Sequence, residues 1–303
     1  MLVFAHVSDP HLTTPPWPQW GDLLSKRLPG YVAWRRRRNS RSDRILEILK
    51  HDLEAAGTDH VVVTGDLTNL GSASEHQKAV DWLGSLGPVD RVSVVPGNHD
   101  CYVCAAWAET LGLWQPWMRS DDAAPDVFPY IQYRGPVAFI GLSSAVPTAL
   151  GLATGRVGRS QRQRLVAYLN AARSAGYFRA VLVHHSPHPG GTSRRKCLTD
   201  GSAVRSVLAE CGAELVLHGH AHGFSRATVP GPDGGIPVLG APGATGLVGG
   251  WAQRAGYYRL TVRSAGTGWT IAAEARSLEP SGDAFRALPA FSAHFGPGSA
   301  AAC

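Results

Sequence analysis

Aspartate, histidine and asparagine recur in this chain directly after short apolar runs. Asp9 and His11 follow LVFAHV. Asp66 closes HVVVTGD, and Asn98, His99 and Asp100 close VSVVPGNHD. His184 and His185 end AVLVHH, while His220 and His222 end LVLHGHAH. One strand-end aspartate is ordinarily a turn or a helix cap. Five apolar runs that all stop in the same three residue types are not what packing alone produces. Carboxylate, imidazole and amide oxygen together suit Mn, Fe or Zn, and the absence of cysteine from the set argues against a structural zinc site. Asp9, His11, Asp66, Asn98, His184, His220 and His222 are too many ligands for one ion. They suit two ions that share a bridging carboxylate. Two ions about 3.5–4 Å apart can clamp the oxygens of a phosphoryl group and supply a bound hydroxide.

Such a set works only if the elements carrying it converge. HVVV, VSVV, AVLV and LVLH read as buried strands. Between them lie amphipathic stretches: SDRILEILKHDLEAAG, with Ser42 as a cap and Gly57 as its stop, SASEHQKAVDWLGSLG, RSQRQRLVAYLNAARSAG and GSAVRSVLAECG. Alternation of this kind predicts an α/β fold, in which sites lie beyond the carboxyl ends of the strands. Gly65, Gly97 and Gly219 precede three of the polar clusters and permit close backbone approach. The last third holds four short strands, FSRATVP, GIPVLGAP, GYYRLTVRS and GWTIAAEAR, which read as a second, more antiparallel set. One domain is expected over residues 1–278, with an irregular tail over 279–303 rich in Ala, Gly, Pro and Ser.

The ordered series D-x-H, G-D, G-N-H-D, a strand-terminal His and G-H-x-H resembles the calcineurin-like metallophosphoesterase superfamily, in particular its small bacterial phosphodiesterases. The resemblance implies a four-layer αββα sandwich of two mixed β-sheets flanked by helices. Residue by residue, it implies Asp9, His11 and His222 at a first metal, Asp66 as the bridge, and Asn98, His184 and His220 at a second. His185 is the alternative to His184, since relatives often show HHPP or HGPP where this chain has HHSP. His99 resembles the histidine that contacts the phosphate or protonates the leaving group, with Asp100 orienting it. The implied chemistry is hydrolysis of a phosphodiester, with a metal-bridging hydroxide attacking in line and no covalent protein intermediate. Arg194, Arg195 and His185 are the expected substrate contacts, on the loop HHSPHPGGTSRRKC.

The remaining features bear on partners. The chain has 303 residues, 44% of them hydrophobic, and a net charge of +6. No apolar run is long enough to span a membrane. The opening residues carry no basic leader and read as a strand rather than an export signal, so a cytoplasmic location is expected. Five cysteines, with Cys101 and Cys104 as the one C-x-x-C pair, do not make a disulfide framework. The insertion over residues 15–42 gathers basic and aromatic side chains between Trp17 and Arg38. An anionic membrane surface suits it, each basic residue adding about 1 kcal/mol, and would place the protein at the inner membrane face. A similar segment occurs in lipid A-pathway pyrophosphatases that hydrolyse UDP-2,3-diacylglucosamine, which makes a lipid-linked substrate the alternative reading. Nucleic acid and a non-catalytic scaffold rank below both. His6, His60 and His218 are expected to be structural.

Overall fold

Both faces of the central strands are buried, which is why these strands read as near-continuous apolar runs. The computed structural model describes residues 1–12, 25–37, 43–122, 128–247, 250, 252–266, 268–288 and 291–295. The first sheet is built around β1 (Leu2–Val7), which runs parallel to β2 (His60–Val63). β2 in turn is parallel to β3 (Val92–Val94). On the other side of β1 lie β10 (Gly256–Ala265) and β11 (Gly268–Leu278), both antiparallel. The second sheet runs β4 (Tyr130–Arg134), β5 (Val137–Gly141), β6 (Phe178–Leu182), β7 (Leu215–His218), β9 (Gly234–Gly240) and β8 (Ser225–Gly231), with parallel pairing from β5 to β9.

Side chains of the second sheet alternate with the period of two that a strand imposes. Phe139, Ala180, Leu182, Leu215 and Leu217 join the core shared with Phe4, Val63, Tyr257 and Leu260 of the first sheet. Their neighbours Ile140, Val181, Val183 and Val216 face the other way, against Leu165, Leu169 and Leu208. Those leucines belong to α4 (Arg159–Ser174) and α5 (Gly201–Cys211). The helices of the first sheet are α2 (Asp43–Ala55) and α3 (Ala73–Ser85), the latter started by a capping box between Ser72 and Glu75. The result is the expected helix–sheet–sheet–helix sandwich.

Three expectations need correction. The last-third strands do not form a set of their own: β8 and β9 complete the second sheet, and β10 and β11 widen the first. The tail over 279–303 is not wholly irregular. β12 (Phe285–Ala287) and β13 (Phe291–Phe295) both pair antiparallel with β11, because apolar residues at alternate positions give the chain a strand pattern. Residues beyond 295, including Cys303, lie outside the described ones. Finally, part of the basic insertion is a helix, α1 (Arg27–Arg37). Its Pro29 falls in the first turn, where proline is tolerated. Trp17, Trp20 and Arg38, like the proposed cap Ser42, lie outside the described residues.

Candidate metal site

The loops after β1, β2 and β7 share an uncommon backbone. Asp9, His11, Asp66, His220 and His222 have φ values of 49°, 44°, 56°, 66° and 51°. Left-handed backbone is costly for residues with a side chain, and it persists where surrounding structure imposes it, often at functional sites. Here, among the described residues, every non-glycine residue with positive φ is one of the seven expected ligands. The loops are laced together: Asp9 N–H donates to the Gly65 carbonyl at 2.9 Å, and His11 N–H to the Asp66 carbonyl at 3.0 Å. Glycine is required where they touch. A Cβ on Gly97 would fall on the Asp66 carboxylate, and one on Gly219 on Ser8 and Asp9.

This weave brings the ligand atoms of Asp9, His11, Asp66 and His222 within 4.8 Å of one another, and does the same for those of His184, His185 and His220. Asp66 joins the two groups. Its Oδ2 lies 3.4 Å from His184 Nε2 and 3.9 Å from His11 Nε2. Asp9 Oδ1 lies 3.3 Å from His222 Nε2, and the rings of His11 and His222 stack at 5.3 Å.

Hydrogen bonds behind the cluster fix which atom of each ligand faces it. His11 Nδ1 donates to the Thr68 carbonyl at 3.1 Å and His184 Nδ1 to the Thr64 carbonyl at 2.6 Å, so each turns Nε2 to the cluster. Asp9 Oδ2 accepts from Ser8 Oγ at 2.6 Å and from His220 N–H at 2.9 Å, which leaves Oδ1 toward the cluster. Asp66 Oδ1 accepts from His99 N–H at 2.8 Å. Asn98 Oδ1 and His220 Nε2 are buried without a hydrogen-bond partner, a cost that a bound cation would remove. An all-oxygen-and-nitrogen donor set with such leftover atoms fits two divalent ions.

The electrostatics agree. Burial alone would raise the Asp66 carboxyl, but His184, His99 and His11 outweigh it and hold the group well below the usual carboxylate range. Burial would lower His184, yet Asp66 raises it to about 10. His220 is lowered by burial and then by His185 and His184.

The structure distinguishes the two adjacent histidines. His185 is buried with both ring nitrogens engaged: Nε2 donates to the Ala153 carbonyl at 3.2 Å, and Nδ1 pairs with Ser144 Oγ at 2.8 Å. Burial, then the His184 charge, lowers it to about 3. It is therefore a buried neutral support beside His184 and His220, and the expectation that it meets substrate is corrected. The strand period explains this. His184 continues the inward face of Ala180 and Leu182, and His185 the outward face of Val183.

Asp100 also differs from expectation. It does not orient the His99 ring, whose Nδ1 donates to the Asn69 carbonyl at 2.6 Å. Asp100 instead accepts backbone N–H bonds from Asp66, Thr68 and Gly97, each at 2.8 Å. Burial and then the Asp66 charge raise it to about 7. It ties the second and third polar loops together, so it positions ligands rather than touching substrate. Arg194 and Arg195 are exposed on the loop before α5, where the Arg195 carbonyl accepts from Ala153 N–H at 2.8 Å. Of the three consecutive basic residues, Lys196 is the one whose charge acts on His220.

Several residues fall outside the site. Cys101 and Cys104 are free thiols, and burial, then Asp100, pushes Cys101 up to about 12, which makes it unreactive. His6 and His60 bond Thr64 and Ser93. Sequence reasoning missed Tyr102, whose ring stacks on His99 at 5.4 Å; its place two residues after GNHD was the available signal.

Two adjoining groups of candidate metal ligands at the strand ends of an αββα sandwich point to the class to which this molecule belongs. The chain is a member of the calcineurin-like phosphoesterase family, whose model matches residues 2–224. No curated protein matches the sequence significantly. Among solved structures, the fold is similar to a dimetal phosphatase from Danio rerio, with a TM-score of 0.59 and 16% identity over 91% of this chain and 96% of that one. It is also similar to the sulfate thiohydrolase SoxB of Thermus thermophilus, with a TM-score of 0.51 and 16% identity over 94% of this chain and 58% of that one. At such identities the likeness speaks for the fold. Family membership and the two ligand groups together support a metal-dependent phosphoester hydrolase.

Proposed function

We propose that this protein is a two-metal phosphodiesterase. The observation that carries the proposal is the single carboxylate of Asp66 within 3.4 Å of one ligand group and 3.9 Å of the other. Asp9, His11 and His222 would hold one ion, Asn98, His184 and His220 the other, and Asp66 both. When bound, two such ions supply Lewis acidity to phosphoryl oxygens and an ionised water at neutral pH. The chain supplies the rest. The Thr64 and Thr68 carbonyls hold His184 and His11 in the metal-binding tautomer. His99 is half-buried beside this cluster, with its ring edge-on to His11 at 4.9 Å. The Asn69 carbonyl fixes its Nδ1–H, and Nε2 is then the atom turned to the leaving oxygen, to which it gives a proton when the ring is the doubly protonated imidazolium. Arg194, Arg195 and Lys196, exposed together on the loop before α5, would draw an anionic substrate toward the site.

The test is a comparison of bis-p-nitrophenyl phosphate with p-nitrophenyl phosphate in the presence of Mn. Diester hydrolysis that disappears in Asp66→Ala supports the proposal, and preference for the monoester overturns diester specificity in favour of a phosphatase.

One observation favours a second reading, a pyrophosphatase acting on a lipid-linked nucleotide such as UDP-2,3-diacylglucosamine. Helix α1 lies against the loops of the site and keeps Val32 and Arg35 exposed. Among the described residues no helix is long and apolar enough to cross a membrane, and this reading places the lipid contact on α1. Turnover of the lipid-linked nucleotide set against 2′,3′-cyclic AMP separates the two readings.

A further inference from the structure

We infer that α1 belongs to the catalytic apparatus, because it grips both groups that hold the His99 ring, and that Tyr102 is the positioning residue through which it acts. The inference rests on the role proposed above for His99.

His99 is clamped from three directions. Its Nδ1 donates to the Asn69 carbonyl at 2.6 Å. Its face is covered by Tyr102, with ring centroids 5.4 Å apart and planes 18° from parallel. His11 meets it edge-on at 4.9 Å. Two of these three contacts are in turn held by the insertion helix. Arg27 donates through Nε to the Leu70 carbonyl at 3.2 Å and through Nη2 to the Gly71 carbonyl at 2.8 Å, which anchors the segment that presents the Asn69 carbonyl. The Lys26 ammonium, just before the helix, sits 4.4 Å from the centroid of the Tyr102 ring. The same ammonium donates to Thr148 Oγ1 at 2.8 Å and to the Leu152 carbonyl at 3.2 Å, so it is fixed in place over the ring.

Gly30 completes the grip. A Cβ at this position would lie 2.5 Å from the Tyr102 hydroxyl oxygen and 2.8 Å from Leu70 Cδ2. Glycine inside a helix costs about 1 kcal/mol relative to alanine. Here it lets the helix backbone press on both the phenol and the Leu70 side chain. Arg27, Lys26 and Gly30 therefore converge on Leu70–Gly71 and Tyr102, the immediate neighbours of the His99 ring. A general acid misplaced by a fraction of an ångström loses much of its advantage, so a helix that fixes two sides of the ring governs proton delivery without touching substrate.

Leaving-group dependence isolates this role. With Mn, hydrolysis rates are measured over bis-aryl phosphates from p-nitrophenyl to unsubstituted phenyl. Protonation matters least for the best leaving group, so wild type is expected to give a shallow dependence and His99→Ala a steep one. Tyr102→Leu is expected to fall in between, with about a tenfold loss on the phenyl ester, little loss on the p-nitrophenyl ester and unchanged metal content. Tyr102→Phe, which keeps the ring, should restore most of the phenyl rate. In a His99→Ala background, Tyr102→Leu should have no further effect on the dependence. Lys26→Met and Gly30→Ala carry the same test from the helix side at smaller amplitude, should Tyr102→Leu not fold.

A second readout needs no turnover. In protein labelled with ¹⁵N at histidine, the His99 resonances should report a single ordered ring with Nδ1 protonated in wild type and broaden in Tyr102→Leu. An active wild type whose leaving-group dependence and His99 resonances are unchanged in Tyr102→Leu overturns this inference alone. A wild type inactive on every diester overturns the underlying reading as well.

Discussion

The two ends of this sandwich both bury charge, but they treat it differently. At the end opposite the ligand cluster, a cavity of about 400 Å³ opens among the turns that precede β6 and β7 and those joining β8 to β9 and β10 to β11. Its floor holds Arg179, 3% exposed. Its guanidinium closes on neighbouring protein groups: Nε and Nη2 on the two oxygens of Glu214, at 3.0 and 2.6 Å, and Nη1 on the Cys211 carbonyl at 2.9 Å. At the ligand end, Asn98 Oδ1 and His220 Nε2 are buried without a hydrogen bond, and five residues hold left-handed backbone. A buried charge that closes on the protein's own groups is structural. Buried donors aimed at one another with atoms to spare call for something the chain does not itself contain. Burial alone does not separate function from architecture, and neither does one unpartnered atom, since His6 Nδ1 and His60 Nδ1 are buried without a hydrogen bond away from the site; the convergence of several such atoms on one cluster does.

The strongest way to break this contrast is to remove Asp66, the carboxylate common to both ligand groups. Asp66→Ala should lower diester hydrolysis by on the order of 10³-fold and reduce metal content, read by elemental analysis, in parallel. Full two-metal occupancy in that variant would show that Asp66 does not bridge. Asp100→Asn is milder, because the turn survives while one of its backbone acceptors becomes an amide. Metal affinity or activity should fall about 10- to 100-fold, as expected for a residue that orients ligands. An Asp100→Asn enzyme with normal metal affinity and normal rate would return Asp100 to a purely architectural role.

Protons sharpen the contrast further. In the metal-free protein His184 is raised to about 10 by the Asp66 carboxylate, against the effect of burial. A raised histidine contributes stability that is complete below its unfolded value near 6.5 and is lost as pH rises through about 10. The imidazole must be neutral to bind metal, so loading releases this proton. Metal affinity should therefore rise with pH by up to about tenfold per unit through the neutral range. Calorimetric titration in two buffers of different ionisation enthalpy should detect close to one proton released by this group. A proton count and an affinity that are both independent of pH would show that His184 is already neutral and that the Asp66–His184 pair does not form.

How much of this was legible in the sequence follows from what each signal encodes. The seven candidate ligand positions stood out because a strand that ends in Asp or His breaks its own apolar pattern, and the order of the breaks was informative. His184 and His185 could not be separated, because alternation assigns them to opposite faces without saying which face meets the ligands. Asp100 was misread because adjacency to His99 suggested contact, whereas in this tight turn the two side chains diverge. Helix α1 was hidden by Pro29 and Gly30, which disfavour a helix, and by like-charge repulsion among its crowded arginines; tertiary contact with Leu70, Gly71 and Tyr102 supplies what local propensity lacks. The strands β12 and β13 were hidden by the surrounding Ala, Gly, Pro and Ser.

The smallest expected effect on activity comes from the opposite end, and it completes the comparison. Arg179→Met leaves the half-buried Glu214 carboxylate at the cavity without its bidentate partner, and leaving such a group unpaired costs about 1–3 kcal/mol. Glu214→Leu added to Arg179→Met removes the stranded charge and should recover much of that loss, since an apolar pair of similar volume replaces an ion pair at little cost. In both variants the rate per folded molecule, corrected by thermal or denaturant melts, should match wild type, because the Arg179 bonds end on Glu214 and Cys211 and none reaches the strand ends that carry the ligands. A corrected rate several-fold below wild type in the double variant, with its stability recovered, would mean that the cavity end communicates with the ligand end, and the division between structural and functional burial drawn here would have to be abandoned.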